Sequence, residues 1–155
     1  MKTGVLFVCL GNICRSPLAE IAFKAAVESA GRGDAFEVDS AGTAGWHDGK
    51  LPDEGSIRTA VGRGLDIRYQ RSRKLIAEDF ERFQVIVGMD DSNMENIRKL
   101  APAASTAVVK LRDFDPIEPG GDVPDPWEKP DSAFEEVYDI LERSMPGLLR
   151  FIDAL

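Results

Sequence analysis

The sequence predicts an α/β fold in which four parallel strands form one doubly wound sheet, in the order 2-1-3-4, with helices on both faces. The main observation is that short apolar runs alternate along the chain with longer segments carrying apolar residues at three- and four-residue spacing. In addition, 155 residues suffice to bury a core, and no internal repeat or domain boundary divides the chain. We therefore expect a single domain over residues 1–155.

Four segments have the length and composition of strands. Residues 4–9 form a continuous apolar run, which is typical of a buried strand. Residues 36–40 alternate apolar and polar side chains and predict a half-exposed strand, whereas 85–87 and 107–109 are short apolar runs. Because segments of helical spacing separate these runs, we expect the strands to pair in parallel.

Residues that favour helix ends accompany the helical segments. The predicted starts carry N-capping side chains, at Ser16, at Asp53 and at Ser92 or Asn93. Pro17 suits the first position of the first helix, because proline has no N–H to leave unpaired there. Gly31 predicts the end of that helix, and Gly62 and Gly64 the end of the second.

The last third of the chain predicts a long loop and then a long helix. Residues 112–130 are rich in Asp, Pro and Gly, which is typical of an irregular loop, and such loops in compact domains are often functional. Ser132 and Glu135 have the spacing of a capping box at the start of the helix. Pro146 is expected to kink or split that helix.

Composition excludes several classes of protein. A net charge of -8 argues against nucleic-acid or membrane-surface binding, because phosphate backbones and anionic lipids select basic faces. Two cysteines and one histidine cannot form a disulfide framework or fill a four-ligand structural zinc site. We expect no metal and no cofactor.

The N-terminus is the one place for a targeting segment. Its apolar run leads into Asn12 and Arg15 without a small-residue cleavage pattern, so it predicts a strand rather than a signal peptide. No stretch of about eighteen apolar residues is present to span a bilayer. We expect a soluble cytoplasmic protein whose cysteines are thiols.

The segment from Val8 to Pro17, between the first strand and the first helix, carries the chemistry. At such a junction, the backbone N–H groups of the loop and of the helix start favour a tetrahedral oxyanion. Gly11 permits a tight loop, and Asn12 tolerates positive φ. The planar fork of Arg15 matches two phosphate oxygens. The pattern therefore predicts a phosphate site.

Cys9 would lie beneath the bound phosphorus at the end of the first strand. Backbone donors, a helix N-terminus and Arg15 all favour the thiolate, which is the nucleophilic form. An isolated free cysteine is more often a small buried hydrophobic residue, but the combination of strand, glycine, arginine and helix start favours a nucleophile. Ser16 has two compatible roles, as the plain N-cap or as a hydrogen-bond donor to the Cys9 thiolate.

The segment from Cys9 to Pro17 resembles the phosphate loop of the low-molecular-weight protein tyrosine phosphatases. Three further segments agree with that family in order. Residues 40–43 with Trp46, His47 and Gly49 resemble one wall of the family's active-site crevice, and Met89-Asp90 with Asn93 resembles the stretch after its third strand. Asp125 and Pro126 stand where the family carries its general acid. The resemblance covers nearly the whole chain.

The resemblance implies metal-independent hydrolysis of phosphotyrosine, in proteins and in small aryl phosphates, through a phosphocysteine. Cys9 would attack phosphorus, Arg15 would hold the developing charge, and Asp125 would protonate the leaving phenol. Asp122 and Asp90 are weaker candidates for this acid. The residues expected around the phosphate are Leu10, Gly11, Asn12, Ile13, Cys14, Arg15 and Ser16.

Several positions depart from the family pattern. A pair of tyrosines often follows the Asp-Pro dipeptide in the family, whereas this chain has Trp127 and Glu128. We expect Trp127 to stack on the substrate ring and Trp46 to form the opposite wall, although core packing would also explain such residues. Gln70 stands nearest to the family's loop-supporting histidine and can keep a hydrogen bond but carry no charge. His47 is expected to be solvated or structural.

Two residues of the loop bear on narrower questions: Ile13 on the substrate class, and Cys14 on protection of the nucleophile. A relative acting on phosphoarginine typically has threonine where this chain has Ile13, so isoleucine favours phosphotyrosine. Cys14 has a plain reading, as a small residue packed beneath the loop. The resemblance instead implies a reversible disulfide with Cys9, which would protect the nucleophile from irreversible oxidation.

Two rival functions fit the sequence less well: one needs residues that are missing, and the other does not explain a pattern that is present. Arsenate reduction on the same loop needs further redox cysteines, and a flavodoxin-like phosphate- or FMN-binding module needs no Cys-x5-Arg pattern.

Charge is unevenly distributed along the chain, with six basic residues and one acidic residue between Arg58 and Lys74. These are usually solvated faces, but a basic flank near the site would also steer acidic phosphopeptides. The oligomeric state is left open.

Overall fold

The computed structural model describes residues 1–101 and 106–155. Four parallel strands form one sheet in the order β2-β1-β3-β4, which confirms the predicted topology. The strands are β1 (Thr3–Cys9), β2 (Phe36–Gly42), β3 (Val85–Gly88) and β4 (Ala107–Lys110). β1 is central and pairs with β2 on one side and β3 on the other, so the chain direction across the sheet switches at β1.

Helices cover both faces of the sheet, as expected for a doubly wound fold. The helices are α1 (Arg15–Ser29), α2 (Glu54–Gly62), α3 (Asp79–Arg82), α4 (Asp91–Leu100) and α5 (Asp131–Asp153). On one face, Val5 and Phe7 of β1 pack with α1, α2 and α5. On the other, Leu6 and Val8 pack against α3 and α4. Alternate side chains of β1 thus enter opposite cores, which explains its unbroken apolar run.

Several predicted helix starts are wrong by one or two residues. α1 begins at Arg15 after Cys14, which makes no side-chain capping bond, so Ser16 is not the N-cap. α4 begins at Asp91 because Asp90 accepts a hydrogen bond from the Asn93 N–H at 2.7 Å, so neither Ser92 nor Asn93 opens it. In each case, a tertiary contact of the candidate side chain or an earlier capping residue shifted the boundary.

The start of α5 also differs from the prediction, whereas α2 agrees with it. α5 follows Pro130 and begins at Asp131 without a side-chain cap, so the capping box of Ser132 and Glu135 is not formed. The Asp131 carboxylate binds Arg58 of α2 instead. α2 is capped by Asp53, which accepts from the Gly55 N–H at 2.9 Å, as predicted.

α5 continues through Pro146, so of the two expected effects of this proline, a kink or a split, the split is wrong. The proline removes one backbone donor, but buried residues lie on both sides of it, at Met145 and Leu148. Gly147 approaches Phe114 so closely that an added Cβ would lie 3.0 Å from that side chain. Packing of the helix against the core therefore outweighs the lost hydrogen bond.

Three short helical segments escaped prediction because they are too short to show a periodicity. They are α3 and two 3₁₀ turns, at Gly33–Ala35 and Leu111–Phe114. The second turn opens the predicted loop over residues 112–130, which is otherwise irregular up to α5.

Buried charges hold this loop in place. Asp115 is buried and accepts hydrogen bonds from Arg143 of α5 and from Arg112, at 2.8 to 2.9 Å. Hydrogen bonds from Arg143 first, and from Arg112 and the Ile117 N–H, outweigh burial and lower the pKa of Asp115 well below its usual range. Lys110, at the end of β4, binds Asp122 at 2.7 Å. The loop residues that follow are therefore carried to the carboxyl edge of the sheet.

Candidate active site

The loop between β1 and α1 lies at the carboxyl edge of the sheet, beside the switch point. Backbone hydrogen bonds tie it to the segment after β2, since Thr43 donates to Cys9 O and Ala44 donates to Leu10 O, both at 2.9 Å. The Asp53 N–H donates to Ile13 O at 2.8 Å. The loop is therefore held from two sides before any ligand binds.

Asn12 shapes the loop. Its backbone has φ of 56°, in the left-handed region that asparagine tolerates. Its amide group is buried and donates to Ser16 Oγ at 2.8 Å and to Ser40 Oγ at 3.0 Å, while Oδ1 accepts from the Arg73 N–H at 3.0 Å. These three contacts fix the sharp turn that brings the loop back to α1.

The loop leaves its own backbone donors available. Within residues 1–101 and 106–155, the N–H groups of residues 11–14 donate to no other group of the protein. The N-terminus of α1, which follows directly, has no side-chain cap. Uncommitted N–H groups at a helix start form a binding site for an oxyanion.

Cys9 and Ser16 are in direct contact. The Cys9 Sγ lies 3.0 Å from Ser16 Oγ, and both residues are buried. Because Ser16 Oγ accepts from the Asn12 amide, its own hydrogen can point to the sulfur; the Ala41 carbonyl is farther, at 3.4 Å. Of the two roles expected for Ser16, the contact with Cys9 is present and the N-cap is not.

Arg15, in the first turn of α1, lines the same pocket as Cys9. Nη1 donates to Asp90 Oδ2 at 2.6 Å and to the Val123 carbonyl at 3.0 Å. Burial by itself would lower the pKa of Arg15, but Cys9, Asp90 and Asp125 outweigh burial and raise it. The buried guanidinium, only 3% exposed, therefore stays cationic in an acidic protein.

Asp125 lies at the rim of the same pocket. Its Oδ2 is 3.9 Å from Arg15 Nη2, its Oδ1 accepts from the Trp127 N–H at 3.1 Å, and its side chain is half-exposed. The two competing acids have other partners, since Asp90 caps α4 and binds Arg15, whereas Asp122 binds Lys110. Of the three carboxylates, only Asp125 lines the pocket.

Apolar side chains surround the entrance of this pocket. Trp46 is 72% exposed and Trp127 50% exposed, and both line the pocket together with Ile13. His47 covers Gly11, where an added Cβ would lie 3.0 Å from the imidazole ring. The floor of the pocket is therefore polar and its walls are largely apolar.

Gln70 supports the loop indirectly. Ser40 Oγ donates to its Oε1 at 3.5 Å, and its Nε2 donates to the Pro17 carbonyl in α1 at 3.1 Å. Gln70 thus reaches Asn12 only through Ser40. Sequence reasoning overlooked the contribution of Arg73, whose backbone N–H binds the loop asparagine, because a backbone contact between residues 61 positions apart leaves no sequence signal.

Cys14 is buried at the edge of the pocket, and both cysteines are free thiols. Burial first, then Asp53, Cys9 and Asp125, raise the pKa of the Cys14 thiol. Cys14 is therefore a neutral thiol at neutral pH.

Residues 1–101 and 106–155 contain neither a metal-binding cluster nor a membrane-spanning helix. Among those residues, no cluster of three or more His, Cys, Asp or Glu side chains is arranged to hold a metal ion. No helix in the same ranges combines the length and apolar character needed to cross a membrane.

Comparisons with known proteins agree on one family. The sequence model described as "Low molecular weight phosphotyrosine protein phosphatase" matches residues 4–154. A Streptomyces coelicolor protein named low molecular weight protein-tyrosine-phosphatase is 42% identical, over 96% of this chain and 93% of its own length.

Solved structures agree with that match. The crystal structure of a protein tyrosine phosphatase from Entamoeba histolytica, with Hepes in its active site, superposes with a TM-score of 0.93 at 32% identity, covering 99% of this chain and 98% of that one. The crystal structure of YfkJ from Bacillus subtilis superposes with a TM-score of 0.90 at 34% identity, covering 99% and 96%.

Proposed function

The chain belongs to the low-molecular-weight phosphotyrosine protein phosphatase family and is a protein tyrosine phosphatase; on that premise, we propose that Cys9 is its nucleophile. The observation that carries this assignment is the position of the Cys9 sulfur. It lies in a pocket that is also lined by Arg15 and by loop residues whose N–H groups are uncommitted, Gly11, Ile13 and Cys14. A phosphate in that pocket would be bound by the loop with its phosphorus next to the thiolate.

The first chemical step transfers the phosphoryl group to the protein. The Cys9 thiolate attacks phosphorus, so a P–S bond forms and the P–O bond to the phenol breaks. The electron pair goes to the phenol oxygen, which takes a proton from the carboxylic acid of Asp125. Arg15 and the loop N–H groups bind the three equatorial oxygens and stabilise the charge that is spread over them in the transition state.

The second step releases phosphate. A water molecule attacks phosphorus and gives a proton to the Asp125 carboxylate, while the P–S bond breaks and its electron pair returns to Cys9. Ser16 stabilises the departing thiolate through its hydroxyl, which already lies 3.0 Å from Sγ. Both steps use the same loop between β1 and α1 and the same acid, Asp125.

The shape of the pocket favours phosphotyrosine, in proteins and in small aryl phosphates. A flat aryl ring fits between the walls formed by Trp46 and Trp127, while phosphoserine has too short an arm to bring its phosphate to the polar floor. Ile13 adds an apolar surface at the entrance, which suits a phenyl ring better than the charged guanidinium of phosphoarginine.

A side-by-side comparison of substrates tests this assignment. Matched peptides carrying phosphotyrosine, phosphoarginine or phosphoserine are assayed for phosphate release with a chelator present and with vanadate as inhibitor. We expect kcat/KM for phosphotyrosine to exceed the other two by at least about 100-fold, because phosphoserine is too short to reach the floor and the guanidinium of phosphoarginine would be buried without a partner. The variant Ile13→Thr should reduce the difference in kcat/KM between the phosphotyrosine and phosphoarginine peptides. Preference for either other peptide would overturn the substrate assignment.

Asp125→Asn tests the general acid. Since an amide cannot donate this proton, the variant should lose about 100-fold in kcat for a phosphotyrosine peptide. It should lose far less for p-nitrophenyl phosphate, whose leaving group needs little protonation. The matched control is Asp122→Asn, which removes a nearby carboxylate that binds Lys110 and should leave the dependence on leaving group unchanged. Equal losses on both substrates would assign the acid to another residue.

We also propose that Cys14 protects the nucleophile from oxidation. Peroxide would convert the Cys9 thiolate to a sulfenic acid, and the Cys14 thiol would then form a disulfide with loss of water. The raised pKa of Cys14 supports this division of roles, because a neutral thiol reacts slowly with peroxide itself.

Two broader proposals accompany the mechanism. Residues 1–155 form one phosphatase domain, since the two hydrophobic cores cover opposite faces of one sheet. The protein acts on phosphotyrosine-containing proteins in the cytoplasm, because a reducing compartment keeps a cysteine nucleophile in its active thiol state.

A further inference from the structure

A groove adjoins the proposed phosphotyrosine pocket on the side of Trp46. Three segments of the chain border it: residues 43–46 after β2, residues 74–75, and the end of α4. Exposed apolar surface comes from Leu100 and Trp46, whereas Leu75 at its base is buried, and positive charge comes from Lys74 and Lys99. We call this feature the lysine groove.

The lysine groove is continuous with the pocket. Leu10 and Trp46 line both, so a polypeptide whose phosphotyrosine enters the pocket would meet the lysine groove with a neighbouring residue. The backbone beside Lys74 is firmly placed, because the Leu75 N–H donates to Gly42 O at 2.7 Å. Gly42 in turn lies against the phosphate loop, where an added Cβ would be 2.8 Å from Leu10 O.

Lys74 is set apart from its basic neighbours in sequence. Most arginines between residues 58 and 74 bind carboxylates of this chain, namely Arg58, Arg63, Arg68 and Arg73. Arg71 donates to backbone carbonyls. Lys74 forms no ion pair within residues 1–101 and 106–155, and its side chain is exposed, although Asp48 and the Lys74 stem both lie near Gly45. Its charge is therefore available to a partner.

No carboxylate of the described residues lines the lysine groove. The ammonium group of Lys99 lies 3.3 Å from Glu95 on the exposed surface of α4, an interaction that contributes little in water. The groove is thus a local positive region with apolar surface, on a protein whose net charge is -8. It complements a side chain with a short aliphatic stem and a negative end.

We propose that the lysine groove is a subsite for an acidic residue of the substrate, an Asp or Glu close in sequence to the phosphotyrosine. Its carboxylate pairs with Lys74, and with Lys99 at the far side, while its methylene groups contact Leu100. This inference rests on the proposed function, since it places the phosphotyrosine in the neighbouring pocket. The lysine groove thereby selects among phosphotyrosine sites by the charge of the flanking residues.

The test compares matched phosphotyrosine peptides that differ only in carrying Glu or Ala at the positions flanking the phosphotyrosine. We expect the wild-type protein to favour the Glu peptides by about three- to fivefold in kcat/KM, the size of an exposed ion pair. Lys74→Ala should remove this preference, and Lys74→Glu should reverse it. High salt should weaken it in the wild type.

The control variant is Lys50→Glu, which makes the same charge change at an exposed lysine outside the groove. An equal loss of preference in this variant would show that the overall field steers the peptides, and would overturn the subsite. A wild-type protein with no preference would overturn it as well. Turnover of p-nitrophenyl phosphate should stay within about twofold in the Lys74 variants, because screened surface charge changes little at a distance. If the wild-type protein failed to turn over this small substrate at all, the proposed function would fail instead.

Discussion

Replacing Cys9 with serine is expected to abolish turnover while leaving phosphate binding intact. A serine hydroxyl at this position is almost never ionised, so the attack on phosphorus loses its nucleophile. The loop N–H groups and Arg15, which we propose hold the anion, do not depend on the sulfur for their position. We expect kcat for p-nitrophenyl phosphate to fall by at least about 10⁴-fold, with the Kd for inorganic phosphate, measured by calorimetry, changed by less than about tenfold.

Cys14→Ser is the matched control, since it removes the other thiol of the same loop. It should retain far more activity than Cys9→Ser, because its thiol takes no part in phosphoryl transfer. After mild peroxide, the wild-type protein should recover activity on addition of a dithiol, whereas Cys14→Ser should not. Substantial turnover by Cys9→Ser would exclude the phosphocysteine mechanism, and the absence of a Cys9–Cys14 bond in mass spectrometry would exclude the protective role.

Arg15→Lys is expected to have the second-largest effect. The guanidinium binds Asp90 and the Val123 carbonyl through Nη1 while Nη2 faces Asp125, and a lysine cannot hold these groups and two phosphate oxygens together. Loss of the fork should lower kcat/KM by about 100- to 1,000-fold, the usual effect of removing one charge-stabilising donor. Binding of inorganic phosphate should weaken as well, because the proposed contact between the fork and the anion would already form in the ground state.

Arg32→Lys provides the control for this substitution. Arg32 forms an exposed ion pair with Asp153 on the surface, so the same chemical change there should leave the kinetics near those of the wild type. Separate measurements of kcat and KM, with the unfolding midpoint in urea, distinguish lost catalysis from lost stability. Near-normal kinetics for Arg15→Lys would show that the backbone of the loop holds phosphate without the guanidinium.

The fold was largely predictable because its strands and helices have regular patterns. β1 shows as an apolar run that is buried on both faces, and the sheet order follows from parallel connections around it. Helix ends were less predictable. Ser16 looks like an N-cap in sequence, yet its hydroxyl contacts Cys9, and a three-dimensional contact of this kind leaves no local signal.

The candidate site also has a part that could be predicted from sequence and a part that could not. The loop from Cys9 to Ser16 is local, so its residues could be assigned together from eight consecutive positions. Asp125 lies 116 positions beyond Cys9 and looks, in sequence, like any loop carboxylate. Only the resemblance to a family suggested its role, and only the structure shows it at the pocket beside Arg15.

The sequence by itself predicted the sheet order, and it was enough to propose the phosphate loop and Cys9 as the nucleophile, because these depend on residues that are adjacent or regularly spaced along the chain. The tertiary structure decided which carboxylate lines the pocket, how Asn12 is held, and which lysine beside Trp46 forms no ion pair within the described residues. Those arrangements depend on contacts between irregular segments, such as the binding of Asp115 to Arg143 and of Lys110 to Asp122. Irregular segments have no repeat to read, so their positions follow only from how the whole chain packs.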